Sequence, residues 1–145
     1  MKNFSIIILL LAFAAPFSLS AQCKGFTKKK CIPLLENYVP AENYNTLQMF
    51  DGEEAELYLV FVENHDYRIA ICSHPILGDV NFVIKTEQGD IVYSNTEAED
   101  GNIFDFSTTS TKKLHIIISI PASESSTGMI QPGCVSIMVG NKPSS

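Results

Sequence analysis

The sequence predicts an all-β protein, an antiparallel β-sandwich of about seven to eight strands behind a short irregular or helical N-terminal segment. Two observations predict it. From about residue 54 onward, short β-branched and aromatic runs recur at intervals of roughly ten residues, separated by turn residues. Those runs follow one another without helical crossovers, so the sheets should be mainly antiparallel.

The chain of 145 residues opens with a separate signal. Met1-Lys2-Asn3 supplies a positive start, and Phe4 to Phe17 form an apolar stretch too short to span a bilayer. Small and polar residues follow at Ser18, Ser20 and Ala21, so residues 1–21 read as a signal peptide cut after Ala21. The expected mature chain is a single domain over residues 22–145, with no transmembrane segment, in the periplasm or outside the cell. Acylation of Cys23 would require a small residue before it, and Gln22 stands there.

Of 145 residues, loss of the first 21 leaves 124, enough for an ordinary core without a metal or oligomer to complete it. Loss of Lys2 reduces ten basic residues to nine against sixteen acidic ones, a net charge of −7. That balance argues against a nucleic-acid partner, which needs clustered Lys and Arg. Lys24, Lys28, Lys29 and Lys30 do cluster, and the ordinary reading is a solvated segment next to the signal.

Between Cys23 and Phe50, Gly25, Pro33 and Pro40 break any long period, leaving room for a short helix around Thr27 to Leu35. The first strand is expected over Glu54 to Val62, with Ala55, Leu57, Leu59 and Phe61 on one face. A turn at Asn64-His65-Asp66 returns the chain into Tyr67 to Ser73, where Tyr67, Ile69 and Ile71 alternate against Arg68, Ala70 and Cys72. Val80 to Thr86 and Ile91 to Ser94 form a hairpin about Gln88-Gly89-Asp90. An acidic loop, Asn95 to Gly101, leads into Ile103 to Phe106. In Lys112 to Ile120, Leu114, Ile116, Ile118 and Ile120 point inward until Pro121 stops the strand. A polar loop over 122–132 precedes the last strand, Gly133 to Gly140.

Four cysteines beyond an export signal predict two disulfides, and the absence of any CxxC pair argues against zinc. Three pairings are open. Cys72 and Cys134 share a phase in their strands, and a bend at Gly25 would let Cys23 reach Cys31, so Cys23–Cys31 with Cys72–Cys134 is expected. The rival ties the N-terminal segment to the sheet through Cys31 and Cys72.

Tyr67-Arg68-Ile69-Ala70-Ile71-Cys72, Leu77-Gly78-Asp79-Val80-Asn81-Phe82, the Glu87-Gln88-Gly89-Asp90 turn, the closing run Gly133 to Gly140 and the start Cys23 to Cys31 carry a resemblance. Together they resemble an uncharacterised family of small exported proteins of Gram-negative bacteria, over nearly the whole mature chain. More distantly the chain resembles the bacterial pre-peptidase C-terminal domain, with Cys134-Val135 where that domain has an aromatic. This implies a jelly-roll-like sandwich and an envelope location, and no particular substrate.

Candidate chemistry is sparse. Ser73-His74 and Asp66 have the residue types of a hydrolase, but adjacent residues on a strand face opposite ways. His115, on the less apolar face of its strand, is a solvated imidazole on the simplest reading. Glu97, Glu99, Asp100 and Asn102 crowd carboxylates and an amide beside Gly101, the ligand chemistry of calcium without the spacing of an EF-hand. Tyr38, Tyr44, Tyr58 and Tyr93 could stack on sugar rings, in a chain that has no Trp. The expected function is a non-catalytic binding or accessory module of the envelope with a protein or glycan partner. The alternatives are a small secreted enzyme of hydrolase type and a structural subunit of a surface assembly.

Overall fold

The structure is a computed structural model and describes residues 20–42, 44–98, 101–123 and 131–143. Two antiparallel sheets face each other. One contains β1 (Val39–Pro40), β2 (Asn45–Met49), β4 (His65–Ser73), β7 (Ile103–Thr108) and β9 (Gly133–Pro143). The other runs in the order β3 (Glu54–Phe61), β8 (Lys112–Ser119), β5 (Asn81–Thr86) and β6 (Ile91–Ser94). Seven of these strands lie where the alternation of apolar residues predicts them. The short strands β1 and β2 lack that alternation, and they form because the long β9 offers them an edge: Asn45 to Met49 pair with Ile137 to Gly133, and Val39–Pro40 with Asn141–Gly140.

Between the sheets the expected inward residues meet. Ile69 and Ile71 from β4, Phe82 and Ile84 from β5, Ile116 and Ile118 from β8, and Val135 and Ile137 from β9 are buried in one cluster. Burying each such side chain contributes roughly 1.5–3 kcal/mol. An aromatic series lines one side of this core: Phe61 meets Tyr67 edge-on at 4.9 Å and Phe106 at 5.0 Å, and Tyr93 lies 4.7 Å from Phe104. The strand β4 begins two residues earlier than expected, at His65 instead of Tyr67. Asn64 takes the positive φ of 59°, and His65 already belongs to the strand.

The N-terminal segment is helical over a longer stretch than expected. An α-helix, α1 (Ser20–Phe26), continues as a π-turn over Thr27–Cys31 and a 3-10 turn over Ile32–Leu35. Pro33 is tolerated because it sits in the first positions of that last turn, where its missing N–H has no helical partner to lose. The segment lies on the outer face of the five-stranded sheet. There Cys31 and Leu35 bury themselves against Ala70, Cys72 and Met138, forming a second, smaller core. A glycine makes the approach close: a Cβ built on Gly140 would stand 2.6 Å from Cβ of Tyr38, too near for two carbons that are not bonded.

Cys23 bonds Cys134 and Cys31 bonds Cys72, so the expected pairing is corrected. The strands β4 and β9 are neighbours, as a Cys72–Cys134 bridge would need, but the register sets Ser136 opposite Cys72. Cys134 stands two residues further along β9, roughly 7 Å away. Cys23 and Cys31, roughly 12 Å apart along a helix, each reach down to a different strand instead of toward each other. Between the two bridges Thr27, fully buried, completes the seam: its Oγ1 donates to the carbonyl of Cys23 at 2.8 Å and lies 2.6 Å from Oγ of Ser136. Two such bridges belong to a chain that matures in an oxidising compartment, the periplasm or the cell exterior. Among the described residues no helix is long and apolar enough to cross a membrane.

Candidate functional site

The two sheets differ in what lies outside them. The outer face of the five-stranded sheet is closed by the stapled N-terminal segment, and β4 and β9 are consequently buried on both sides. On the four-stranded sheet no described segment plays that role. Its outer face carries Tyr58 at 56% and Val60 at 64% exposure, with Ile91 and Val92 exposed at the far edge.

Register arranges this face in rows. Tyr58 of β3 stands opposite His115 of β8, which stands opposite Lys85 of β5, itself opposite Ile91 of β6. The next row is Glu56, Ile117, Val83 and Ser94. In the other direction Val60 pairs with Lys113. The Tyr58 and His115 rings stack with centroids 4.3 Å apart and planes inclined by 11°. The Glu56 carboxylate lies 2.9 Å from Nε2 of His115, and the Lys113 ammonium sits 4.9 Å from the centre of the Tyr58 ring. Each of these contacts joins two strands, so the backbone ladder holds the cluster in place. Chemically it offers a flat aromatic surface and apolar flanks, with the carboxylates of Glu54 and Glu56 and two ammonium groups at the margin, the make-up of a docking surface.

The hydrolase residues are not brought together. Asp66 accepts a hydrogen bond from Oγ of Ser107 at 2.6 Å, near the start of β4, whereas Ser73 ends that strand, roughly 23 Å away at the rise of an extended chain. His74 uses Nδ1 to accept from the Ile76 amide and rests its ring 5.6 Å from Phe26. Ser73 borders a polar cleft of about 270 Å³ with Asp79, Asn81, Asn95 and Asn102. In that cleft the Asn95 amide is already engaged: Oδ1 accepts from the Phe82 amide, and Nδ2 donates to the Val80 carbonyl and to Oδ1 of Asn102. His65 Nδ1 lies 2.9 Å from the carbonyl of Glu63.

Of the calcium candidates, Glu99 and Asp100 lie outside the described residues. Asn102 faces Asn95, and Glu97 is exposed. Among the described residues no three His, Cys, Asp or Glu side chains come together as a metal site would require. The tyrosines divide by environment. Tyr93 points inward and donates to the carbonyls of Gly101 and Ile103; Tyr44 packs on the small core; Tyr38 has Arg68 and Lys142 against its ring. Tyr58 alone of the four presents its ring on the open sheet face. Sequence reasoning found Tyr58 and His115 singly and missed Glu56, Lys113 and Val60. Their alternation with Ala55, Leu57 and Leu59 was the available signal, but only the pairing of β3 with β8 makes them one surface.

Arg68 marks the opposite, closed side of the molecule. Its side chain is 12% exposed, and Nε and Nη2 both donate to Asp105 at 2.7 Å while Nη1 donates to the Leu34 carbonyl and lies 3.0 Å from Glu36. Asp105 first, and Glu36 after it, raise the guanidinium pKa further above its already high ordinary value, against the opposing effect of burial. The group is a clamp: it joins β4, β7 and the end of the N-terminal segment.

No known protein family model matches the chain, and no curated protein does, so the resemblance to the pre-peptidase C-terminal domain rests on the sequence alone. Among solved structures the chain is similar to Aeromonas hydrophila PliG, described as a periplasmic lysozyme inhibitor of g-type lysozyme. The match covers 74% of this chain and 90% of that one, at 13% identity and a TM-score of 0.49.

Proposed function

We propose that the chain is an exported, non-catalytic binding module of the bacterial envelope that docks a protein or glycan partner on the outer face of its four-stranded sheet. The observation that carries this reading is the asymmetry of the sandwich. One outer face is sealed by a helical segment held with two disulfides, a buried hydroxyl cluster and an arginine clamp. The other leaves Tyr58, Val60 and Ile91 in solvent around an ordered Glu56–His115–Tyr58 contact chain. Exposed apolar area held rigid within a charged margin suits recognition, since little side-chain entropy remains to be lost on binding.

A photo-crosslinking residue placed at Ile117, in the middle of this face, tests the reading in cells. Discrete adducts with one envelope component are expected, and Tyr58→Ala should remove them; their digestion by protease or by glycan hydrolases separates the two partner classes. The same label at Lys28, exposed on the N-terminal segment, serves as the comparison. Equal capture from both positions would refute the assignment.

A further inference from the structure

We infer that a second copy of this chain pairs with the first along β3, antiparallel, joining two four-stranded sheets into one of eight strands. The inference stands apart from the identity of any docking partner, because it concerns the edge of the sheet.

Sheet edges present unpaired backbone groups, and proteins usually blunt them. Among the described residues most edges here are blunted. β1 has two residues and ends in Pro40; β6 has four, with a register shift where it pairs with β5. β2 is overlain by the N-terminal segment, Thr46 lying 3.2 Å from Thr27. β7 has its central Asp105 drawn into the Arg68 clamp. β3 has none of these devices: it is eight residues long, contains neither Pro nor Gly, and pairs with β8 without a register shift.

The direction of its backbone groups follows from its two ends. The Glu53 carbonyl accepts from Ile120, and the Glu63 amide donates to Thr111, both toward the β8 side; Val62 turns its amide and carbonyl the other way, to Tyr67. In a regular strand this alternation assigns Ala55, Leu57, Leu59 and Phe61 to β8 and turns the amides and carbonyls of Glu54, Glu56, Tyr58 and Val60 to the open edge. Since Val62 is engaged, those four are the available set among the described residues. An antiparallel register centred on Leu57 pairs them completely, Glu54 with the partner's Val60 and Glu56 with the partner's Tyr58.

Charge selects the same register. The two glutamates occupy one half of β3 and would repel each other in a parallel pairing, where they lie abreast. The two-fold axis sends them to the other half, onto rows that continue into the partner's Lys113 and the partner's His115. Glu54 and Glu56 thus exclude other alignments while favouring this one.

Sedimentation of the mature, disulfide-intact protein over a concentration series tests the inference. Twice the monomer mass is expected. Val60→Glu, opposite the partner's Glu54, should weaken the dimer about tenfold or more. Val60→Lys should keep it or tighten it, and Glu54→Lys combined with Val60→Glu should restore it. Val60 is exposed, so these variants should melt like the parent, which separates lost pairing from lost folding. A parent that stays monomeric at every concentration, or equal behaviour of the Glu and Lys variants, would overturn the pairing. Loss of capture at Ile117 with the dimer intact would instead count only against the docking face.

Discussion

Cys31 is bonded to Cys72 with their Cα atoms 5.5 Å apart, and this bridge holds the N-terminal helical segment on the outer face of the five-stranded sheet. Peptide mapping without reduction should therefore recover residue 31 joined to residue 72, and residue 23 joined to residue 134. The bridges close separations of 41 and 111 residues. On the chain-entropy model, removal of either by a double Cys→Ala change should cost about 3–5 kcal/mol in a denaturant titration. A peptide joining residues 23 and 31 would contradict the arrangement.

Arg68 should be the most sensitive charged residue. Arg68→Met keeps the side-chain length but leaves the Leu34 carbonyl and Asp105 without their donor, and urea unfolding should show a loss of about 1–3 kcal/mol. Arg68→Lys should recover only part of that loss, because a single ammonium cannot supply the forked pair of bonds to one carboxylate. Equal stability of parent and Arg68→Met would show the clamp to be without energetic weight.

The exported protein should begin at Gln22. The charged start, the apolar run and the small residues before the expected cut follow the pattern of an export signal. N-terminal sequencing of the envelope fraction checks this, and a product retaining Met1 or a diacylated Cys23 would contradict it.

Chelator should leave the melting temperature unchanged. The Asn102 amide oxygen is engaged with Asn95, so a calcium ion bound there would have to displace a protein contact. A fall in melting temperature on adding chelator would reveal a bound metal contributing to the native state, and would make Glu97, Glu99, Asp100 and Asn102 the first positions to substitute.

What the sequence determined by itself is the sandwich: period-2 alternation in runs such as Leu114 to Ile120 fixes which side chains face the core, and that choice is local. It also set the N-terminal segment apart from the regular strands, because Gly25, Pro33 and Pro40 break any long period there. What only the tertiary structure decided is which residues meet across the chain. The register of β4 against β9 put Ser136, not Cys134, opposite Cys72, and so redirected both disulfides upward to the helix. The short strands β1 and β2 formed because β9 extends far enough to pair with them, which no alternation within Asn45 to Met49 could announce. The candidate site has the same origin: Glu56, Tyr58, Lys113 and His115 are more than fifty residues apart in two groups, and only the β3–β8 pairing makes them neighbours. Alternation tells a side chain which face it belongs to, whereas strand order and register are set by the summed packing of the whole core, and a site assembled across strands is therefore legible only once that packing is known.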